Sequence, residues 1–196
     1  MRVVTIFALA LLTACALKPT RGAAIGPRFD DNAYAILIRK CTQHESQYDG
    51  FNQRYDVYAT MLTTEVQAAI LQKRSDIYEW TSLQAQDERD KMFQTNSTQT
   101  KFAVSFFVPD YRLNDLNKKT TMWRFYLDSQ GKRYVGFATK RPEKLVDLEA
   151  MYPYHTRFYK PYEITFNVPL SIVEVAPAVL TIASAQGVAH LKFTPP

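Results

Sequence analysis

The chain has 196 residues, a length typical of one domain with at most a short appendage. Hydrophobic residues make up 46% and charged residues 22%, and these ordinary globular values exclude a disordered or low-complexity chain. The formal net charge is +5, and the chain has only two cysteines, which excludes a disulfide scaffold or a four-cysteine zinc site. Aromatic residues reach 13%, mostly Tyr and Phe, which favours strands over helices.

The N-terminal residues follow the order of an export signal. Arg2 precedes residues 3–12, which carry no charge, match the length of a secretory apolar segment and are too short to span a bilayer. Leu12-Thr13-Ala14-Cys15 follows and resembles the lipobox of bacterial lipoproteins. The resemblance implies cleavage before Cys15 and lipidation of its thiol. We therefore predict a signal peptide at 1–14 and a membrane anchor, through acyl chains, at Cys15.

Residues 15–29 are predicted to comprise the lipidated cysteine and a flexible tether, because they contain Pro, Gly and basic residues but few large apolar ones. Asp after the lipidated cysteine favours inner-membrane retention in lipoproteins. Ala16 in that position therefore implies an outer-membrane location facing the periplasm. If Cys15 is lipidated, Cys41 has no partner within the chain; without lipidation, a Cys15–Cys41 disulfide is the alternative.

The remaining residues, 30–196, are predicted to form a single globular β-rich domain. Residues 33–41 and 51–62 are predicted to pair as a long hairpin around Asp49-Gly50, although the first stretch is also compatible with a helical start. Residues 64–94 are predicted to be helical, because apolar positions recur at helical spacing and Thr-x-x-Gln capping patterns begin at Thr64 and Thr81.

The pattern changes to that of strands after residue 101. Alternating or β-branched runs flanked by turn residues predict strands at 102–108, 122–127, 133–139, 162–168, 179–183 and 188–193. We therefore predict a mainly β fold, an antiparallel β-sandwich with a helical insertion. The alternative is an α+β fold, in which an antiparallel sheet carries helices on one face.

No familiar catalytic, metal or cofactor motif occurs in the sequence. A nucleophile elbow and a Gly-rich phosphate loop are both absent, and Cys41 with His44 supplies too few ligands for zinc. We therefore predict a non-enzymatic binding or scaffold domain without catalytic residues, metal or cofactor. The alternatives are a purely structural envelope component and an enzyme with an unfamiliar site near Cys41, His44 or His155.

Residues 101–160 combine 12 Lys and Arg against 6 Asp and Glu with the densest aromatic run, at 151–162. Because Tyr and Arg are frequent at interfaces, we predict a contact surface there. Its members are Lys140, Arg141, Tyr152, Tyr154, His155, Arg157 and Tyr159. The expected partners are the membrane, through the lipid on Cys15, and an envelope protein or an anionic glycan or lipid; nucleic acid is not expected. The alternative is that these rings pack against the open end of the sandwich.

Overall fold

A computed structural model of the chain describes residues 31–195. The predictions for residues 1–29, including the signal peptide, Cys15 and the tether, lie outside the described residues. Within them, eight antiparallel strands form one continuous sheet, in the order β1-β2-β3-β6-β5-β4-β7-β8. The strands are β1 (Thr42–Asp49), β2 (Asn52–Met61), β3 (Thr100–Phe107), β4 (Arg124–Ser129), β5 (Lys132–Lys140), β6 (Lys160–Phe166), β7 (Ala178–Ser184) and β8 (Gly187–Phe193). The helices are α1 (Asp31–Lys40), α2 (Thr64–Ile77), α3 (Ser82–Asn96), α4 (Leu145–Met151) and α5 (Leu170–Val173).

The sheet curls almost into a barrel, so that the edge strands β1 and β8 lie side by side. The Glu45 carboxylate spans this seam, accepting hydrogen bonds from the His190 backbone N–H at 2.7 Å and the Tyr55 hydroxyl at 3.3 Å. Rings from strands that are not neighbours in the sheet meet inside, as the 5.2 Å separation of the Phe102 and Phe193 centroids shows. The predicted mainly antiparallel β fold is confirmed, and the two facing layers belong to one sheet.

The interior is filled by alternate residues of each strand, as a half-buried β-sheet requires. On β2, for example, Tyr55, Val57 and Ala59 are completely buried. Gly136 on β5 lies opposite Phe166, whose ring occupies the place of a β-carbon: one added to Gly136 would lie 2.5 Å from it. A side chain at this position would overpack the interior.

The helical segment that the sequence predicts is confirmed as the two helices α2 and α3. The capping box at Thr81 and Gln84 is present, with both reciprocal hydrogen bonds formed. The first cap is one residue earlier than predicted, because the Thr63 side chain, rather than that of Thr64, accepts from the Val66 backbone N–H at 3.2 Å. None of the helices in residues 31–195 is long and apolar enough to cross a membrane.

The predicted pairing of residues 33–41 with β2 is wrong. This stretch forms α1, whose buried residues Tyr34, Leu37 and Ile38 have the spacing of one helical face. The polar stretch Thr42–Asp49 pairs with β2 instead, around the predicted Asp49-Gly50 turn. A strand at the sheet edge tolerates this composition, because β1 is completely buried at none of its positions.

A second apolar cluster lies on the outer face of β2 and β3, beneath α1, α2 and α4. Its largest buried side chains include Tyr34 of α1, Val66 and Ile70 of α2, and Met151 and Tyr152 at the end of α4. The Tyr34 hydroxyl donates to the Met151 carbonyl at 2.8 Å, which ties α1 to α4. The outer face of this half of the sheet is therefore covered by helices, and the cleft described next opens at its margin.

Candidate functional site

A cleft of about 370 Å³ opens on the outer face of the sheet, between α1, the β1–β2 hairpin and the segment that follows α4. We call it the Tyr58 cleft. Its surface is mainly apolar. It is lined by Ala35, Ile38, Arg39, Thr42, His44, Tyr58, Pro153 and Tyr154.

Three rings in a row form one wall of the Tyr58 cleft. The hairpin register places His44 directly opposite Tyr58, and their ring centroids lie 4.0 Å apart with the planes 16° from parallel. Tyr154 stacks on the other side of Tyr58, at 5.1 Å and 13°. Aromatic stacking of this kind stabilises each ring beyond the burial of its surface. The wall is therefore formed before any ligand arrives.

Hydroxyl groups anchor the wall from beneath. The Tyr154 hydroxyl lies 2.5 Å from the Thr60 hydroxyl, which lies 2.6 Å from that of Thr42. Thr42 donates to the Ile38 carbonyl at the end of α1 at 2.6 Å. Burial raises the pKa of Tyr154 well above its usual range, so this ring stays neutral at physiological pH. The chain of hydroxyls fixes α1, both hairpin strands and the segment after α4 relative to one another.

Asp56 provides the second polar support of the wall. One of its carboxylate oxygens lies 2.6 Å from His44 Nε2, and the other accepts from the Tyr159 hydroxyl at 2.9 Å. Burial, together with the hydrogen bond to Asp56 and its charge, raises the pKa of Tyr159. Asp56 therefore holds the outermost ring of the stack, His44, which is exposed to solvent.

The remaining lining gives the cleft its binding character. Ala35, Ile38 and Pro153 supply aliphatic surface, whereas Arg39 is exposed at the rim. Arg39 has no ion-pair partner among residues 31–195. Both faces of the Tyr58 ring are covered by its neighbours in the stack. A ligand consequently meets aliphatic groups and a guanidinium, with no open Tyr58 face available for stacking.

The structure divides the predicted contact surface into separate regions, and three of its seven residues lie in the interior. Tyr152 and His155 are each 3% exposed, and the Arg141 side chain is 10% exposed. Arg141 pairs with Glu143 at 2.5 Å and donates to the Tyr152 hydroxyl at 2.8 Å. These three residues stabilise the covered face, and we correct the prediction that they form a contact surface.

His155 is held by a buried contact with β3. Its Nδ1 lies 2.6 Å from the Ser105 hydroxyl. Burial, and next the charge of Arg141, lowers the pKa of His155, so the ring is neutral at physiological pH. His155 therefore has a packing role.

The other four residues of the predicted surface lie elsewhere. Tyr154 lines the Tyr58 cleft, and Tyr159 lies partly buried beside Asp56. Lys140 and Arg157 are exposed at one end of the sheet. Tyr58 and Asp56 were not predicted as site residues, although the Asp49-Gly50 turn fixes the register that places His44 opposite Tyr58. The role of Arg39 depended on recognising α1 as a helix.

The residues considered for an unfamiliar enzyme site have different partners. Burial, and next the charge of Glu65, raises the pKa of the Cys41 thiol. His44 contacts Asp56, and His155 contacts Ser105. Residues 31–195 contain no grouping of three or more His, Cys, Asp or Glu suited to a metal ion. Comparisons with protein-family models, with curated proteins and with solved structures find no match. The function is therefore inferred from the geometry of the Tyr58 cleft.

Proposed function

We propose that this chain is a lipid-anchored envelope protein that binds a partner without catalysing a reaction. In this proposal the Tyr58 cleft receives an apolar side chain of a partner protein. The observation that carries it is the preformed wall of three stacked rings beside a cleft of about 370 Å³. Concave, mainly apolar sites with a few fixed polar groups are the usual places for ligands to bind.

Size and chemistry narrow the class of ligand. A cavity of about 150 Å³ holds one benzene molecule, so the Tyr58 cleft has room for one aromatic or two aliphatic side chains. Because both faces of Tyr58 are covered, a sugar could not stack on this tyrosine, and the aliphatic lining favours an apolar side chain instead. The exposed guanidinium of Arg39 favours a carboxylate next to the apolar group.

The membrane part of the proposal rests on the lipobox resemblance at Leu12-Thr13-Ala14-Cys15. It predicts that Cys15→Ser abolishes lipidation and releases the protein from the membrane fraction, because the acyl chains that anchor it are lost. Cell fractionation and the mass of the mature N-terminus measure this. A variant that stays membrane-bound and matures to the same size contradicts lipidation at Cys15. Cys41→Ser is the matched control and is expected to fractionate normally.

Photo-crosslinking in intact cells tests the cleft. A photoreactive phenylalanine derivative replaces Arg39 at the cleft rim or, as a control, Leu83, which is 67% exposed on α3 and does not line the cleft. The proposal predicts a discrete crosslinked protein from position 39 and none from position 83. Equal products from both positions, or none from either, contradict binding in the cleft. If neither position gave a product, the purely structural alternative would be favoured.

An enzyme is the second candidate, because His44 and Asp56 form an exposed imidazole–carboxylate pair beside the cleft. Such a pair would supply a general base. Under this alternative, Asp56→Asn, which removes the charge beside the imidazole, loses turnover of the substrate that the crosslinked partner identifies. Under the binding proposal the same variant retains the crosslink from position 39, because the three rings stay and Asn still forms hydrogen bonds with His44 and Tyr159.

A further inference from the structure

The end of the sheet that carries the β1–β2 turn differs from the rest of the surface. Because β3 ends at Phe107, opposite Asp56, the hairpin residues beyond Asp56 project past it. Residues 108–123 leave β3 at the same end, and β6 begins there at Lys160, opposite Phe106. Three separate segments therefore meet at this end.

Each of these segments exposes a large aromatic ring. Phe51 lies at the hairpin turn and is fully exposed, Tyr111 is 74% exposed and Phe158 is 64% exposed. Tyr48, on the hairpin, is also exposed. Large rings exposed on three neighbouring segments are unusual for a surface that contacts only water.

Five cations lie on these segments or at the adjacent end of β5. Lys118 and Lys119 are in the 108–123 segment, Arg157 precedes β6, Lys160 begins β6 and Lys140 ends β5. Lys160 Nζ donates to the carbonyls of Tyr111 and Asn114, at 3.3 and 2.7 Å, which joins the loop to β6. Burial, and next the charges of Lys140 and Lys118, lowers the pKa of Lys160, so the Lys160 ammonium lies near enough to both of these lysines to be repelled by them. The guanidinium of Arg157 lies 5.0 Å from the centre of the Phe158 ring.

The acidic residues at this end do not neutralise those cations. Asp49 pairs with Arg54 and Asp110 with Arg112, while Asp56 is engaged by His44 and Tyr159. Asp115 accepts a hydrogen bond from Thr121 at 2.9 Å, and its charge offsets part of the repulsion that Lys160 experiences. Among residues 31–195, none of the five cations has an ion-pair partner within 4 Å. The end therefore carries a net positive charge beside its exposed aromatic rings.

We propose that this surface, which we call the aromatic–basic end, docks on an anionic lipid bilayer. The proposal is independent of the Tyr58 cleft. Exposed rings partition into the headgroup region of a membrane, and lysines near an anionic surface add attraction to lipid phosphates. Four rings match such a surface, because all of them are exposed and their segments lie at the same end of the sheet as unpaired cations. Docking would hold the domain in one orientation on the membrane, which a flexible tether alone does not do.

The depth that individual side chains reach in the bilayer tests this proposal separately from anchoring at the N-terminus. In full-length protein with Cys15→Ser and Cys41→Ser, a single cysteine at Phe51 or Phe158 carries an environment-sensitive dye. The control position is Val175, which is 66% exposed just before β7, at the opposite end of the sheet. The probes are vesicles of phosphatidylcholine alone, or with phosphatidylglycerol, both containing brominated lipid as a quencher.

The expected result is a blue shift and quenching of the dye at positions 51 and 158 with phosphatidylglycerol vesicles, and neither at position 175. Lys118→Gln with Lys119→Gln should abolish the shift at physiological ionic strength. Lys132→Gln with Lys192→Gln, which removes the same charge from exposed positions elsewhere, should leave it intact. The proposal is overturned if the dyes stay in water on phosphatidylglycerol vesicles, or if phosphatidylcholine alone gives the same shift. The first outcome would favour an acidic protein as the partner of this end, and the second would mean that the rings insert into any bilayer without a contribution from the cations.

Discussion

The Tyr58 cleft and the aromatic–basic end are built from the same residue types, Tyr or Phe with Lys or Arg, yet they use them differently. In the cleft, Tyr58 is covered on both faces and the Tyr154 hydroxyl has a fixed partner. At the aromatic–basic end, Phe51 and Tyr111 project into solvent. The difference shows that the partners of an aromatic side chain, rather than composition, decide whether it stabilises the fold or is free for binding.

The largest expected effect concerns the ion pair beneath the covered face. Burial opposes ionisation of Glu143, but hydrogen bonds from Arg141 and the charges of Arg141 and Arg74 outweigh it and lower the pKa of Glu143 to about 2. Glu143→Gln leaves the Arg141 guanidinium without its counter-charge. We expect a loss of about 3 kcal/mol in the free energy of unfolding at pH 7, measured with urea. Glu149→Gln, on the exposed side of α4, is the control and should change it by less than about 0.5 kcal/mol.

The same pair predicts a pH dependence. Because the pKa of Glu143 is lower in the folded than in the unfolded chain, its contribution is complete above the usual carboxyl value of 4.5 and is lost as the pH falls towards about 2. The stability difference between the wild type and Glu143→Gln should therefore shrink over this interval. A difference that stays constant from pH 7 to pH 2.5 contradicts the assignment.

The second prediction compares one ring from each region. Tyr58→Ala removes the middle ring of the stack, and we expect a loss of about 2 kcal/mol, less than for a fully buried aromatic side chain because Tyr58 is partly exposed. Tyr111→Ala removes a ring that is 74% exposed and should cost less than about 0.5 kcal/mol. Urea unfolding measures both. Equal losses would remove the distinction between the two regions.

The third prediction isolates a single hydroxyl. Tyr159→Phe removes the donor to Asp56 and should lower the free energy of unfolding by about 1 kcal/mol. This is less than the about 1.5–3 kcal/mol usual for a hydrogen bond to a charged group, because Tyr159 is partly exposed to water. Tyr111→Phe is the matched control, since its ring is exposed, and should be neutral. Thermal denaturation of both variants provides the measurement. If the two midpoints coincide, Asp56 does not support the stack through Tyr159.

The smallest expected effect is that of chelator and reductant on the domain. The apolar interior includes side chains from β2 to β8, so we expect each reagent to leave the thermal midpoint within about 2 °C. A fall of more than about 5 °C would correspond to about 1.5–2.5 kcal/mol for a domain of this size and would reveal a metal or disulfide that contributes to stability. Calorimetry with and without each reagent makes the comparison.

Strands and capped helices could be predicted because their signals are local. The alternation in β3, the Gln130-Gly131 turn between β4 and β5, and the capping box at Thr81 each lie within a few residues. The secondary structure of the stretch that forms α1 was harder to predict, because a short apolar run fits either a helix or a strand until its packing partners are known. Its true period appears only in the spacing of Tyr34, Leu37 and Ile38.

The candidate site was less predictable than the fold, for two physical reasons. Helix α4 has seven residues and no side-chain hydrogen bond at its N-terminal cap, so no local signal marked it. Once α4 covers the sheet, Tyr152 and His155 become interior residues while Tyr154 reaches the cleft. Long-range packing therefore gives the residues of one aromatic run different roles. Composition alone could not predict which residues would be buried and which would line the cleft.

Filling the Tyr58 cleft tests most directly whether it holds an apolar group of a partner. Ala35→Trp places a large ring in the cleft, whereas Leu83→Trp adds the same ring at an exposed position of α3 that does not line it. The measurement is the crosslink yield from position 39 in both backgrounds, with thermal midpoints recorded for each. We predict that Ala35→Trp lowers the yield about tenfold, equivalent to about 1.4 kcal/mol of binding free energy, and that Leu83→Trp leaves it unchanged. Equal yields in two folded variants would contradict binding in the cleft.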